Sequence, residues 1–431
     1  MSISSSPLIP LLLITAVHFF TRAAHSTTHY QDVQLLKQLK STITPSSIPP
    51  SSCIDTWDFS LDPCDNIFTD KFTCGFRCDV VSNSSLSRLT ELALDSPGYS
   101  GSLSSLPFNH LPYLQNLDLS NNNFTGSIPD SLSNSTRLSR LALSHNSLTG
   151  SIPGSLGSIS TLQELYLDNN MLTGSVPFDL NGLINLKRLE LQGNRLSGEF
   201  PQLSQLGNLN FLDVSENVIS GELPAVLPPS LIEFVMRDNQ LEGNIPASVA
   251  DLTYLQVMDL SHNKLSGSVP AGLFAHPVLE QLTLSYNRFG SVQVPGESCL
   301  SSQLISVDLS NNELRGFLPV FMGLMPRLSA LSLENNKFSG WIPTQYVLKV
   351  VVPGMGMGQG VAQFERLLLG GNYLFGPIPG GFMDLKPGSV TVRLGDNCLY
   401  RCPLRLFFCE GGVQKSLMEC KAFGPIIPRV A

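Results

Sequence analysis

Nine cysteines are the residues whose chemistry is easiest to place. Cys53, Cys64, Cys74 and Cys78 form one group, Cys398, Cys402, Cys409 and Cys420 a second, and Cys299 stands alone. Four thiols close together either oxidise to two disulfides or bind zinc as thiolates, and Cys74-x3-Cys78 and Cys398-x3-Cys402 have loosely ligand-like spacing. The compartment decides between them. Leu8 to Phe20 is almost wholly apolar, too short to span a bilayer, and is followed by small Ala23 and Ala24. That pattern reads as a signal peptide over residues 1–24, with an uncleaved anchor as the alternative. Export favours two disulfide frameworks, each with three possible pairings, and no metal site. Cys299 reads as a small buried hydrophobe.

Other reactive side chains are present but badly arranged for catalysis. His145 and His262 recur in the same phase of a repeat, five units apart, so they are about 24 Å distant and cannot share a metal. No serine sits in a Gly-x-Ser-x-Gly elbow with a placed histidine and acid. Carboxylate pairs could mimic a glycosidase dyad, but on an open surface with nothing to exclude water. The expectation is a chain that is not an enzyme and has no cofactor.

The elements that carry these groups follow from composition. The 431 residues include 42% hydrophobic but only 14% charged residues, with 35 glycines and 30 prolines. This composition suits many tight turns in short repeating units. The net charge is −8, or −9 once Arg22 leaves with the signal peptide. An acidic chain without a basic run is poorly suited to nucleic acid. No second apolar stretch is long enough for a membrane helix, and Gly424 to Ala431 is not the hydrophobic tail of a lipid-anchor signal.

The repeat is explicit. Leu117-Asp-Leu-Ser-Asn-Asn122-Asn-Phe124-Thr-Gly126-Ser-Ile128-Pro129 returns 24 residues later as Leu141 to Pro153. The asparagine recurs at Asn122, Asn146, Asn170, Asn194, Asn217, Asn239, Asn263, Asn287, Asn312, Asn336, Asn372 and Asn397. Alternation points both leucines of Leu-x-Leu inward from a short strand, which buries its apolar face only by stacking on the next coil. Twelve coils at about 4.8 Å make a stack of roughly 60 Å. An inward asparagine, which both donates and accepts, serves the backbone groups left unpaired where the chain turns from the strand. Gly-x-Ile-Pro then permits a turn and an extended segment, predicting a second short strand and a brief helical turn. Pro97 stands where an earlier coil, at Leu92-x-Leu94, would place its asparagine.

The motif LxxLxLxxNxLxGxIPxxLxxL, over about Leu89 to Asn397, resembles the plant-specific leucine-rich repeat. The resemblance implies an α/β repeat solenoid: a right-handed superhelix with a concave parallel β-sheet, a second short sheet, and 3-10 or helical turns on the convex side. Residues 25–88 would be an N-terminal cysteine-containing cap, 89–397 the solenoid of about 12–13 repeats, and 398–431 a C-terminal cysteine-containing cap. Cys53 to Cys78 is similar to the N-terminal cap of such proteins, although the spacing of its last cysteines departs from the usual one. Trp57 would cover the open end of the first coil. The family includes receptor kinases, receptor-like proteins and secreted inhibitors of microbial polygalacturonase. Eleven residues follow Cys420, too few for a kinase. The implied protein is an extracellular recognition scaffold in cell-surface signalling or defence. The alternatives are a polygalacturonase inhibitor and a structural cell-wall protein. Its partner would be a protein or peptide ligand, such as a membrane receptor kinase or a microbial wall-degrading enzyme. It would be secreted to the extracellular space or wall, or held at the plasma membrane by an uncleaved N-terminal segment.

The residues flanking the inward leucines face the concave surface. One column runs Asn116, Arg140, Glu164, Arg188, Phe211, Glu233, and the central one Asp118, Ala142, Tyr166, Glu190, Asp213, Val235, Asp259, Thr283, Asp308. The aspartates are either a soluble form of the repeat or an acidic stripe for a basic partner. Tyr166, Asp168, Arg188, Glu190, Phe211, Asp213 and Arg237 form the candidate ligand-binding patch, since mixed aromatic and charged groups typify binding hot spots. The Asn336-to-Asn372 interval is twelve residues too long. The insertion, around 344–364, holds the Gly/Met run Pro353 to Gly360, either a contact loop or a tolerated insertion without a core role. Asn83, Asn123 and Asn134 are N-glycosylation sequons.

Overall fold

The computed structural model describes residues 27–81, 86–351 and 361–421. Residues 1–24, Asn83, Pro353 to Gly360 and Gly424 to Ala431 lie outside the described residues.

The chain is a solenoid. Each coil contributes one short strand, typically of three residues such as Arg140–Ala142 or Arg188–Glu190, to a parallel sheet that advances one coil at a time. Pairing is in strict register: Leu117 sits beside Leu141, then Leu165, Leu189, Leu212 and Phe234. These side chains are buried, so the core is a continuous column and not a central ball. At its N-terminal end the sheet holds Leu86–Ala93, paired in parallel with the short strand Thr27–Thr28 and antiparallel with Phe76–Val80.

The ladder asparagines do what their chemistry requires. Asn194 Oδ1 accepts the Leu172 N–H at 3.0 Å, and its Nδ2 donates to the Leu167 and Leu191 carbonyls at 3.0 Å each. The same set recurs from Asn146 to Asn397, so each side chain ties its own turn to the preceding coil. The residue before the ladder asparagine adopts a left-handed backbone, as at Asn169 (φ 51°), Glu216 (54°) and Tyr286 (55°).

The Gly-x-Ile-Pro step leads from a second-sheet strand, for example Ser147–Gly150, to a convex 3-10 turn, Gly154–Ser158, opened by Pro153. These turns pack closely. A Cβ on Gly157 would lie 2.0 Å from the Asp179 carbonyl oxygen, which only glycine avoids. Around the insertion the structure adds an element. Its first residues, Thr344–Val351, form an α-helix in place of the 3-10 turn. Tyr346, Val347 and Val350 on one helical face join Phe364 in the core, and the Tyr346 hydroxyl donates to the Pro319 carbonyl at 2.9 Å. The apolar residues before the Gly/Met run carry a core role that the run's own composition hides.

Both cysteine groups form disulfides: Cys53–Cys74 and Cys64–Cys78, then Cys398–Cys420 and Cys402–Cys409. Cys299 is free and buried. Trp57 is buried against Phe76, and its Nε1 donates to the Cys74 carbonyl at 2.9 Å. Helix Tyr30–Thr42 turns Leu35, Leu36 and Leu39 inward. It also buries Asp32, which receives Arg88 Nη2 at 2.8 Å, Arg88 Nε at 3.0 Å and the Leu89 N–H at 2.7 Å.

His276 supplies an acid-sensitive point. It is buried, its Nδ1 accepts the Leu279 N–H at 3.1 Å, and its Nε2 lies 3.1 Å from the Leu252 carbonyl, to which it donates. Both nitrogens are therefore used by the neutral ring. Burial is the main cause that pushes its pKa below 6.5, opposed by the Leu252 hydrogen bond. A depressed histidine contributes stability above the unfolded pKa and loses it as pH falls through the folded value. The thermal midpoint is expected to fall from pH 7 to pH 5, and to fall less in His276→Gln, which starts lower. An equal fall in both proteins removes His276 as the cause.

Candidate concave recognition site

The two outward residues of each three-residue strand stand about 4.8 Å from their counterparts on the next coil. Long side chains on neighbouring coils therefore meet. Arg140 Nη1 reaches Glu164 at 2.5 Å, and its Nη2 reaches Asp118 at 3.5 Å. Its guanidinium also lies 4.5 Å from the centre of the Tyr166 ring, whose hydroxyl is 3.2 Å from Glu164. One coil on, Arg188 binds Glu190 at 2.5 Å and lies 4.1 Å from the Phe211 ring centre. Partial burial is the largest single effect and disfavours both guanidinium charges, but the partners together, Glu164, Tyr166 and Asp118 at Arg140 and Glu190, Tyr166 and Glu233 at Arg188, outweigh it and raise both pKa values. The surface is a lattice of acids, guanidinium groups and ring faces, already paired and held on a rigid sheet.

Tyr166, Arg188, Glu190 and Phe211 thus meet as the sequence suggests. Arg140 and Glu164 join them without having been singled out. The available signal was charge alternation along one column, Arg140, Glu164, Arg188, visible only when residues 24 apart are read together. Arg237 lies apart from the Arg188–Phe211 contact, bound to Glu216 at 2.5 Å and Asp238 at 3.5 Å. Asp168 is buried, receiving the Ser144 hydroxyl and, at 2.9 Å, Asn169 Nδ2, with His145 Nε2 at 3.6 Å. It supports the surface more than it presents a carboxylate.

The aspartate column has a local explanation. Asp118, Asp213, Asp259 and Asp308 each accept the N–H of the serine two residues on, at 2.9 to 3.0 Å. They are Asx-type turns that end the strand. Asp213 is half-shielded, and burial raises its pKa despite the Ser215 contacts.

Small Ala142 between Asp118 and Tyr166 leaves a concavity of about 450 Å³, walled also by Arg140, His145 and Asp168. Beside the lattice, Asn116 Oδ1 and Gln192 Oε1 are shielded from solvent and have no donor among the described residues. Asn123 and Asn134 are exposed on the second-sheet strand Asn123–Gly126 and the convex turn Asp130–Asn134, away from this face.

Comparisons with known proteins agree with the repeat architecture. Leucine rich repeat models match residues 87–148 and 136–196, and a further one matches 254–275. No curated protein matches the chain. Among solved structures, a plant peptide hormone receptor, RGFR1 in complex with RGF2, is 28% identical with a TM-score of 0.66, covering 76% of this chain and 51% of that one. A TDR receptor is 27% identical with a TM-score of 0.61, covering 72% and 52%. The ectodomain of the Arabidopsis thaliana receptor kinase GASSHO1/SCHENGEN3, in complex with CASPARIAN STRIP INTEGRITY FACTOR 2, is 25% identical with a TM-score of 0.52, covering 85% and 50%. The chain spans about half the length of these receptors' structures.

Proposed function

We propose that this leucine-rich-repeat solenoid, similar to the ectodomains of plant receptors, is a recognition scaffold whose concave face binds an extended peptide or protein segment outside the cell, in signalling or defence. The observation that carries this reading is the lattice on adjacent coils, with Arg140 against Tyr166 and Arg188 against Phe211. Preformed ion pairs lower the ordering cost of binding, and fixed ring faces supply contact area with few rotatable bonds. A partner in this role is a small secreted peptide, acting alone or with a membrane receptor kinase. Glycans on Asn123 and Asn134 would coat the flank and leave the face open.

The test uses the purified full chain as bait in apoplastic extract, followed by affinity measurement on the partner identified. Replacing Tyr166 and Phe211 together with alanine is expected to weaken binding at least tenfold, about 1.4 kcal/mol, and to leave the melting temperature nearly unchanged, because both side chains are only partly buried. Undiminished affinity would remove the lattice from the interface. Inhibition of polygalacturonase in a sugar-release assay, without peptide capture, would replace this reading with that of an inhibitor.

A further inference from the structure

At the Gly-x-Ile-Pro step, residue x of one coil leans on the glycine of the next. Ser127, Ser151 and Ser175 do so, their Cβ atoms 3.5 to 3.7 Å from where a Cβ would stand on Gly150, Gly174 and Gly198. Glu199 and Glu222 take the place on the following coils. Phe317 and Trp341 then break the pattern, with 77% and 69% of their surfaces exposed. Their ring atoms come within 2.4 Å and 3.2 Å of the Cβ positions of Gly340 and Gly376. The rings are therefore laid along the flank, over glycines whose backbones (φ 88° and 96°) disfavour any side chain. Exposed Pro377 follows, paired in register with Tyr400, itself 57% exposed. Serine holds the same position elsewhere, so the coil's fold does not require these rings. A row of exposed rings on a rigid surface points to a ligand.

We propose that this row is a platform for a neutral polysaccharide. An extended glycan would lie along the flank, the C–H faces of its pyranose rings on Phe317, on Trp341 and, two coils further, on Tyr400. Three features favour a glycan over a protein. Phe317 and Trp341 stand on consecutive coils, about 4.8 Å apart by strand spacing, and Tyr400 stands two coils further on, beyond Pro377, so a repeating scaffold faces a repeating polymer. Phe317 and Trp341 lie over glycines and offer faces whose quadrupole attracts C–H groups. They alternate with polar Ser339 and Arg315 and stay open to water, whereas protein hot spots are sealed from it. Charge argues for a neutral chain. Lys337, on the strand paired with Arg315–Phe317, is bound to Glu313 at 2.8 Å, and Arg315 reaches the same carboxylate at 3.9 Å.

The site is separate from the concave face, so its test is independent of the peptide reading. The probes are cellohexaose and hexagalacturonate, added to the purified full chain. Of the two tryptophans, Trp57 is buried, so the solvent-accessible part of the fluorescence reports Trp341. Cellohexaose is expected to shift that emission to the blue and to shield it from acrylamide. Phe317→Ser combined with Trp341→Ser should lower cellohexaose affinity at least tenfold by calorimetry with an unchanged melting temperature, since the chain itself uses serine at this step. Equal affinity in the double variant, or no binding of cellohexaose, overturns the proposal. So does binding of hexagalacturonate alone that salt abolishes, which would assign the flank to its cations. Concentration-dependent self-association lost in the double variant, without glycan binding, would also overturn it and make a second copy the occupant.

Discussion

Replacing Asp32 by alanine is expected to destabilise the N-terminal end of the solenoid by about 3–5 kcal/mol, the cost of breaking a buried ion pair from one side. Asp32 is fully buried, and its two oxygens take three contacts from Arg88 besides the Leu89 N–H. The substitution leaves that guanidinium buried with only the His110 carbonyl, at 3.0 Å, and the Tyr113 ring, 4.8 Å from its carbon. It also orphans the buried Leu89 N–H. Arg88→Met together with Asp32→Ala removes both charges and should recover part of the loss. The measurement is urea unfolding followed through Trp57, which lies in this region. A loss below about 1 kcal/mol would mean that water reaches the pair in solution. Repeat proteins hold together through contacts between neighbouring units, so proteolysis of Asp32→Ala should begin near the first coils.

The second large effect is expected at the ladder. Asn194→Ala removes an acceptor for Leu172 N–H and donors to the Leu167 and Leu191 carbonyls, all in buried surroundings. Each orphaned group costs about 1–3 kcal/mol, and partial entry of water keeps the total near 3 kcal/mol. Asn194→Asp keeps the acceptor but loses the donors and places a charge among carbonyl oxygens, so it should be at least as harmful. Hydrogen exchange should show faster opening of the coils on both sides of residue 194, because the side chain joins two of them. Stability within 0.5 kcal/mol of wild type, a surface-like response, would show that the neighbouring backbone re-pairs without it.

The fold was largely legible because its dominant signals are local and repeated. Leu-x-Leu specifies a strand with one buried face, and repetition every 24 residues specifies what covers it. The ladder asparagines read from spacing make the same hydrogen bonds coil after coil. What stayed hidden depends on partners distant in the chain or on geometry that residue type does not announce. Asp32 and Arg88 are 56 positions apart, and nothing near either one names the other. Glu216 and Tyr286 adopt the left-handed backbone by position in the coil, where neither residue type signals it. Asn121, Asn169 and Asp238 at the same place do fit their chemistry. The aspartate column was open to a simpler reading, since Asp-x-Ser carries its own Asx turn. On the candidate face, the columns were readable but their pairing was not. That Arg140 would bridge Asp118 and Glu164 while covering Tyr166 follows only from side-chain direction on a curved sheet.

The placing of the disulfides has a mechanical consequence. Among the described residues, all four lie in the two flanking segments, closing separations of 7 to 22 residues, and none ties one central coil to another. Under tension applied across the ends of the stack, the flanking knots would hold their loops closed while the middle yielded. Each coil is joined to the next by a few strand hydrogen bonds and one asparagine. It would peel away as a unit of 24 residues, paying out about 80 Å of extended chain. Such a molecule lengthens in steps and, with its core arranged as a line, can rewind coil upon coil when the load is released.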